Sequence, residues 1–433
     1  MNAPKNRTKK NPLFFYNSMP KILIVLDQEQ NQELENLKIL GLSFWDRIEK
    51  PARKHGVENI FWNKNSLIES FREQGNQQSI SRVDLLENKN CQTILKIDFL
   101  EQLDHEGIII LYPNILFSEP AWEILAKHQC EPETFYVFED CDSCFLIRSN
   151  NKVFLEKLFK EKLNFSSVLQ KLKEKLIFKT LPMTKKERIY CRSKEELPQV
   201  ESWLLQGLIK DTEGFMSKHF ERKISLFFSR RLSMTRVTPN SMTVISALVG
   251  ILGAYFFMFS EKWYNVFGAL FFWLHSVLDG CDGELARLKF LESRFGGILD
   301  FWSDNLVHAA IFSGIAYGAY RSHGQILFLG LGFLAVLGTL FSAGFVFLRT
   351  MREKKEKGPF FTSVVKENPD QNKNSIAKFA DFLARRDFIY LVILFSFMGR
   401  IEWFLWMGAL GSPIYFFLLL LLDRKKIFRE DIK

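Results

Sequence analysis

Apolar residues are distributed unevenly along the 433-residue chain, and their pattern divides it into two parts. In the first 230 residues they form short runs between charged stretches, as in Lys21–Leu26 and Gly107–Tyr112. Short runs rich in β-branched residues are typical of buried strands. Beyond residue 237 the apolar runs become long enough to cross a bilayer. The pattern therefore predicts a soluble domain followed by a membrane domain.

The soluble part alternates strand and helix patterns, which is the order expected of an α/β domain. After the strand at Lys21–Leu26, a helix is predicted from Ser43 to His55, where Gly56 would end it, and a second strand follows at Val57–Trp62. The further predicted elements are a strand at Gly107–Tyr112, a helix at Glu119–Lys127, a hairpin of Phe135–Phe138 with Phe145–Arg148, and a helix plus linker at 164–195. We assign residues 1–18 to a basic tail and 19–195 to a cytoplasmic α/β domain.

Residues 196–236 are predicted to form juxtamembrane helices. In Phe220–Leu232, four apolar side chains fall on one helical face and Arg and Lys on the other: Ile224, Phe227, Phe228 and Leu232. A basic amphipathic helix of this kind is typical of the membrane interface. A surface helix packed on protein is the alternative.

Six membrane-spanning helices are predicted in residues 237–425, followed by a basic tail at 426–433. Thr238 and Pro239 form a helix-start signal before the first of them. The spans are placed at Met242–Phe259, Trp263–Leu278, Gly296–Tyr320, Gln325–Leu348, Phe388–Met398 and Ile401–Leu422. The predicted fold class is thus multi-domain: an N-terminal cytoplasmic α/β domain, an amphipathic juxtamembrane helix and an all-α membrane domain of six transmembrane helices.

The net charge of +9 comes from bases gathered beside the apolar runs, as at Arg222, Lys223, Arg230, Arg231 and Arg236. Anionic lipid and cytoplasmic loops select such positions, so the charge indicates a bilayer partner rather than nucleic acid. The same bias in the loops places both termini and the segment 279–304 on the cytoplasmic side of the cell (inner) membrane. Six scattered cysteines fit free thiols better than disulfides or a zinc site.

Four aspartates lie at the ends of the second and third predicted spans: Asp279, Asp282, Asp300 and Asp304. Within each pair the spacing of three or four residues puts both side chains on one helical face. Ionisable residues beside a membrane span are costly and are read as functional. Four carboxylates that converge would favour divalent cations.

Neighbouring residues extend this pattern. Gly283 and Ala286 lie on the same face as Asp279, where small side chains would let a nucleotide approach the helix backbone. Arg287 offers a fixed fork of donors for phosphate, and Gly296 would let the third span approach the second. A calcium loop or solvated helix ends would require neither these small residues nor the arginine.

The complete pattern matches Asp279-x-x-Asp282-Gly283-x-x-Ala286-Arg287, eight residues, Gly296, three residues, Asp300, three residues and Asp304. This resembles the signature of the CDP-alcohol phosphatidyltransferase family. The resemblance implies a phospho-alcohol transfer that releases CMP, with two Mg²⁺ or Mn²⁺ ions held by Asp279, Asp282, Asp300 and Asp304. It further implies that CDP is bound by Asp279, Asp282, Gly283, Ala286, Arg287 and Gly296, that Asp304 and Arg287 are catalytic, and that the membrane domain forms a homodimer.

Other features leave the substrates open. The order of elements in residues 19–195 resembles a nucleotidyltransferase domain, but Asp27–Gln32 lacks a glycine-rich phosphate loop, and Pro113 and Asn114 stand where a metal-binding Asp is expected. We expect that domain to be inactive. Together with the segment Lys210–Phe215 and the run Val237–Asn240, this domain resembles the di-myo-inositol phosphate phosphate synthase branch, which favours CDP-inositol and inositol phosphate. A phospholipid synthase using CDP-diacylglycerol and an inactive membrane scaffold are the alternatives.

Two further sets of residues have open roles. Arg349, Arg352 and Lys354 would either bind the acceptor or serve only to orient the membrane domain. His275 and His308 lie four residues from Asp279 and Asp304, as partners for a carboxylate or as packed core histidines.

Overall fold

The computed structural model describes residues 22–26, 37–57, 59–63, 107–112, 114–139, 141, 143–149, 151, 154, 165–209, 220–352 and 388–430. The chain divides into two compact units, Met1–Val200 and Glu201–Lys433, and each is described by itself. Several predicted features lie outside the described residues: the tail at 1–18, the segments 27–32 and 210–215, Pro113 and Lys354.

The first unit is built on a mixed β-sheet, and each of the five predicted strands corresponds to one of its strands, whereas the other described strands were not predicted. The strands are β1 (Ile22–Leu26), β2 (Lys38–Ile39), β3 (Leu42–Ser43), β4 (Asn59–Asn63), β5 (Ile108–Leu111), β6 (Ile115–Phe117), β7 (Thr134–Phe138), β8 (Cys144–Arg148), β9 (Ile177–Leu181) and β10 (Arg188–Tyr190). Six of them form one sheet in the order β4-β1-β5-β8-β7-β9. β1 lies parallel to β4 and β5, whereas β8 runs antiparallel to β5 and β7.

The described helices of this unit are α1 (Asp46–Lys54), α2 (Glu119–Lys127) and α3 (Phe165–Lys175), and α4 (Leu197–Gln206) crosses the boundary between the two units. The predicted role of Ser43 at the start of α1 is seen in its hydrogen bonds. Its hydroxyl accepts from the backbone N–H of Asp46 at 3.1 Å and donates to the Asp46 carboxylate at 2.7 Å. Gly56 follows the helix with φ +88°, a left-handed conformation that favours glycine. Local turn chemistry thus defines both ends of α1.

The segment 164–195 was predicted as helix plus linker, and that prediction is wrong in its second half. β9 pairs in parallel with β7 at the edge of the sheet, and β10 pairs with β6. Ile177 and Phe178 of β9 remain exposed, so this edge strand has no buried apolar run from which to recognise it. These two strands therefore form because of tertiary pairing with β7 and β6, and the local sequence pattern does not predict them.

The second unit is helical, with α5 (Arg222–Ser233), α6 (Pro239–Phe257), α7 (Lys262–Lys289), α8 (Arg294–His323), α9 (Leu327–Arg352), α10 (Phe388–Met398) and α11 (Glu402–Glu430). Each predicted span coincides with one helix from α6 to α11. Among the described residues, three segments are long and apolar enough to cross a membrane: Pro239–Phe257, Leu327–Met351 and Glu402–Leu421. α10 is apolar but short, and α7 and α8 are long but more polar. Six crossings therefore remain a prediction.

α6 packs against both α7 and α8, and glycines make this close packing possible. On the α8 side, a Cβ added to Gly314 would overlap the carbonyl oxygen of Ala254, and one at Gly318 would overlap that of Phe257. On the α7 side, a Cβ at Gly253 would lie 2.9 Å from the carbonyl oxygen of Gly268. Small residues at such crossings let helix backbones approach closely in membranes. α6 thereby fixes the positions of α7 and α8.

We expect Gly314→Ala to destabilise the helical unit, because the new methyl group must push α8 away from α6. Overpacking of this kind costs about 1–3 kcal/mol. Gly344→Ala in α9 is the matched control, since no atom lies within 4 Å of its added Cβ. Thermal unfolding in detergent should show a lower melting temperature for Gly314→Ala than for the wild type. The melting temperature of Gly344→Ala should be unchanged. Equal melting temperatures for the two variants would contradict the role of this contact.

Candidate active site

Three of the four predicted aspartates converge between α7 and α8. Asp279 and Asp282 of α7 are almost buried, at 5% and 6% exposure, and Asp300 of α8 is half-buried. One carboxylate oxygen from each lies within 4.8 Å of the others. Three oxygen donors at this separation, two of them shielded from water, fit a divalent cation such as Mg²⁺ or Mn²⁺.

Asp282 is held in place by a residue of α6. The Thr243 hydroxyl donates to the Asp282 carboxylate, and Thr243 is only 2% exposed. Its hydroxyl oxygen also lies 3.2 Å from the carbonyl oxygen of Pro239. Sequence reasoning missed Thr243, because nothing in an apolar helix indicates which polar residue will face a carboxylate 39 positions away.

Asp304 is not in the group of three whose oxygens lie within 4.8 Å of one another, so the predicted convergence of four carboxylates is seen for three of them. Its Oδ1 instead faces Nε2 of His275 on α7 at 3.6 Å. The Nδ1 atom of His275 lies 2.9 Å from the backbone carbonyl oxygen of Ser246 on α6. Nδ1 of His308 lies 2.8 Å from the backbone oxygen of Asp304, and its ring packs edge-on against Phe272. The site therefore separates a group of three carboxylates from a fourth that is paired with a histidine.

The predicted small residues and the arginine lie along the same stretch of α7. A Cβ at Gly283 would be 3.4 Å from Nη1 of Arg287, so the guanidinium group lies over this glycine. Ala286 is half-buried on the face that carries Asp279 and Asp282. This stretch of α7 thus combines a positive fork with an accessible helix surface.

Gly296 has a different role from the predicted one. A Cβ there would lie 3.0 Å from Oδ1 of Asn240 in α6 and 3.0 Å from Oγ of Ser293, and no α7 atom is among these nearest neighbours. Its N–H donates to the Ser293 hydroxyl at 3.0 Å, which caps the start of α8. Gly296 therefore makes room for α6 and for the helix cap, and not for α7.

A buried ion pair anchors α5 directly behind the site. Glu284 of α7 is 0% exposed, and its Oε1 accepts from Nη1 of Arg222 and from the hydroxyl of Ser225, each at 2.7 Å. Removing one partner of a buried pair costs about 3–5 kcal/mol, so this contact holds α5 firmly on α7. Sequence reasoning assigned Arg222 to anionic lipid, and the structure pairs it with protein instead.

α5 has a buried face of serines and an exposed face of aromatic residues. Ser225, Ser229 and Ser233 form the buried face, whereas Phe227 and Phe228 are exposed. Arg230 pairs with Glu201 at 2.7 Å and, like Arg222, is not free for lipid. The exposed aromatic face is the one predicted to enter the membrane interface.

Lys289 links the end of α7 to the connection between α5 and α6. Its Nζ donates to the carbonyl oxygens of Thr235 at 2.7 Å and Val237 at 3.0 Å. Partial burial lowers the pKa of Lys289 from its ordinary value. These bonds fix the chain just before α6 begins at the Thr238 cap, whose side chain accepts from the N–H of Ser241.

The predicted acceptor-binding residues are only partly described. Arg349 is half-buried near the end of α9, the side chain of Arg352 is not described, and Lys354 lies outside the described residues. Nη2 of Arg294, at the start of α8, lies 3.2 Å from Sδ of Met351. The structure thus brings a further arginine beside the end of α9.

Comparison with known proteins bears on the helical unit. Residues 236–366 match the family model described as CDP-alcohol phosphatidyltransferase. This segment contains all the signature positions from Asp279 to Asp304 and the α6 residues that support them. Residues 236–366 are therefore similar to CDP-alcohol phosphatidyltransferase domains.

Relatives refine this assignment within the family. A Thermococcus kodakarensis protein named bifunctional IPC transferase and DIPP synthase is 31% identical over 180 residues, which cover 41% of this chain and 38% of that one. A Pyrococcus horikoshii archaetidylinositol phosphate synthase is 35% identical over 89 residues, 21% of this chain and 46% of that one. The chain thus spans less than half the length of these relatives, and it is similar to the bifunctional IPC transferase and DIPP synthase branch.

A crystal structure of Mycobacterium tuberculosis phosphatidylinositol phosphate synthase with CDP-DAG bound is 17% identical. It covers 46% of this chain and 93% of that one, with a TM-score of 0.35. At this TM-score the likeness supports no statement about the site.

We expect Asp279→Asn and Asp300→Asn to weaken Mn²⁺ binding, because each removes an anionic oxygen donor from the group. The Mn²⁺ affinity should fall by more than about 10–100-fold, which is the loss expected when only a hydrogen-bond partner of a metal ligand is removed. Titration of Mn²⁺ followed by electron paramagnetic resonance measures it, with Glu261→Gln at the other end of α7 as the control. Wild-type affinity in both Asn variants would rule out a cation at this group.

We expect Thr243→Val to lower Mn²⁺ affinity by about 10–100-fold, since Asp282 loses the donor that orients it. Thr243→Ser keeps the hydroxyl and should bind Mn²⁺ nearly as well as the wild type. The same titration compares the two variants. If valine and serine behave alike, the hydroxyl does not orient Asp282.

Proposed function

We propose that this chain is an integral-membrane CDP-alcohol phosphotransferase with its active site between α7 and α8. The observation that carries the proposal is the convergence of Asp279, Asp282 and Asp300 within 4.8 Å, beside the Arg287 guanidinium. The family match over residues 236–366 supports the same reaction class.

The carboxylate group fits a divalent cation. Three negative groups so close to one another repel, and a cation offsets this repulsion where water is scarce. Asp279, Asp282 and Asp300 would hold one or two Mg²⁺ or Mn²⁺ ions, with Thr243 fixing Asp282. When bound, such ions neutralise the charge that develops on a transferring phosphoryl group.

Gly283, Ala286 and Arg287 bind the diphosphate of the donor in this proposal. The lack of a side chain at Gly283 leaves the helix surface open beneath the Arg287 guanidinium. Arginine presents several N–H donors in a rigid plane, which suits two phosphate oxygens at once. Arg287 thereby orients the donor and stabilises the charge on its oxygens during transfer.

Asp304 is assigned as the general base. It accepts the proton of the acceptor hydroxyl while the oxygen attacks the phosphorus distant from cytidine. The bond from that phosphorus to the bridging oxygen breaks, and CMP leaves with the electron pair. The reaction is a single in-line displacement without a covalent enzyme intermediate.

Inositol compounds are the favoured substrates: CDP-inositol as the donor and inositol phosphate as the acceptor. The similarity to proteins named IPC transferase and DIPP synthase supports this choice. A phospholipid synthase that uses CDP-diacylglycerol is the second candidate, favoured by the similarity to an archaetidylinositol phosphate synthase. Arg349, Arg352, Lys354 and the neighbouring Arg294 are the candidate acceptor-binding residues.

The remaining assignments describe the protein's setting. We place six helices, α6 to α11, across the cell membrane with both termini and the site on the cytoplasmic side, following the loop charges. α5 lies in the interface through its exposed Phe227 and Phe228. The N-terminal domain is catalytically inactive in this proposal, and the membrane domain forms a homodimer.

The test is CMP release by the purified full-length protein with Mn²⁺, using CDP-inositol and CDP-diacylglycerol separately with inositol phosphate as the acceptor. Wild type should release CMP from CDP-inositol, and Asp304→Asn should lower kcat by about 100-fold or more because the base is lost. Glu261→Gln serves as the control with unchanged activity.

The outcomes separate the candidates. Release from CDP-diacylglycerol alone would move the assignment to a phospholipid synthase. Equal rates for wild type and Asp304→Asn would refute the base, and no release from any CDP-alcohol would favour an inactive scaffold.

A further inference from the structure

His275 lies outside the family signature, one helical turn before Asp279, and its surroundings define its orientation. It is 3% exposed, and its ring is nearly parallel to that of Phe272, with centroids 6.2 Å apart and an interplanar angle of 12°. On the other side, a Cβ at Gly250 of α6 would lie 3.0 Å from Cγ of the ring. The imidazole therefore packs against the backbone of α6 at Gly250, where a side chain would crowd the ring.

The hydrogen bond to Ser246 determines which ring nitrogen faces Asp304. A backbone carbonyl oxygen can only accept, so Nδ1 of His275, 2.9 Å away, must donate to it. Nε2 is then the atom directed at Asp304 Oδ1, at 3.6 Å, and it can donate to the carboxylate only when the ring is the doubly protonated imidazolium. Second partners of this kind fix ring orientation in protein sites.

This contact joins two helices at the site. Asp304 is carried by α8, whereas Asp279 and Asp282 are carried by α7 together with His275. The contact with His275 thus ties the position of the Asp304 carboxylate to α7, the helix that carries Asp279 and Asp282. One oxygen of Asp304 is directed at the ring, so that the other can face an acceptor hydroxyl.

We infer that His275 is a positioning residue that orients the Asp304 carboxylate for proton abstraction, an inference that rests on the proposed phosphotransferase function. A displacement of about 1 Å in a reacting group can lower the rate by about 100-fold. A histidine that only fills the core would affect stability without selectively changing turnover.

Two variants separate these roles. His275→Asn places its amide near the Nδ1 position and keeps a donor for Ser246, but it lacks the Nε2 edge. His275→Gln places its amide near the Nε2 position and supplies a donor toward Asp304 that does not depend on ring protonation. We expect His275→Asn to lower kcat for CMP release by about 10–100-fold with little change in the donor KM, and His275→Gln to recover most of this loss.

His308→Asn is the matched control, because the Nδ1 atom of His308 is bonded to the backbone oxygen of Asp304 and an Asn amide near that position can keep this bond, so its kcat should stay near the wild-type value. Equal kcat values for His275→Asn and His275→Gln would overturn the inference. So would a loss confined to the donor KM.

A double-mutant cycle on melting temperature tests the contact without relying on activity. If His275 and Asp304 interact, the shift for His275→Asn combined with Asp304→Asn should differ from the sum of the single shifts by about 2 °C or more. Additive shifts would overturn the inference. If wild type releases no CMP from any donor, the proposed function fails, whereas the cycle still decides whether the two residues are coupled.

Discussion

The site depends on how closely α6 packs between the two helices that carry the carboxylates. Glycines at both crossings allow backbone-to-backbone contact, on the α7 side at Gly253 and on the α8 side at Gly314 and Gly318. Within a bilayer, helix association relies on such packing because lipid provides no hydrophobic driving force between helices. The distance between α7 and α8, and hence the separation of their carboxylates, is therefore set by a third helix that carries none of the signature residues.

α6 also makes polar contacts with residues of α7 and α8 close to the carboxylates. Thr243 orients Asp282, the carbonyl of Ser246 fixes the His275 ring, and Asn240 contacts the start of α8 beside Gly296. Behind α7, the buried pair of Arg222 and Glu284 holds α5 in place. Thr243 thus gives the buried Asp282 carboxylate a neutral donor, and Arg222 gives the buried Glu284 a paired charge; both carboxylates would otherwise be costly to bury.

Much of this architecture is predictable from local sequence, because the responsible patterns are local. Long apolar runs indicate α6 to α11, and the spacing of Asp279 with Asp282 places both on one face of α7. Contacts between two elements that are distant in the sequence are not predictable in the same way. The pairing of β9 with β7, the partner of Thr243 and the neighbour of Gly296 all depend on tertiary contacts, and a single sequence does not record them. The separation of Asp304 from the other three carboxylates belongs to the same class.

That separation has a chemical consequence for the proposed reaction. A carboxylate whose lone pairs are committed to a divalent cation accepts a proton less readily, so it would serve poorly as a general base. Asp279, Asp282 and Asp300 are close enough to share a cation, whereas Asp304 is directed at a histidine edge. In the proposed reaction, the four regularly spaced aspartates thus have two chemical roles, three as cation ligands and one as the base. Asp304 lies one helical turn beyond Asp300 along α8, and this turn brings its Oδ1 to 3.6 Å from Nε2 of His275.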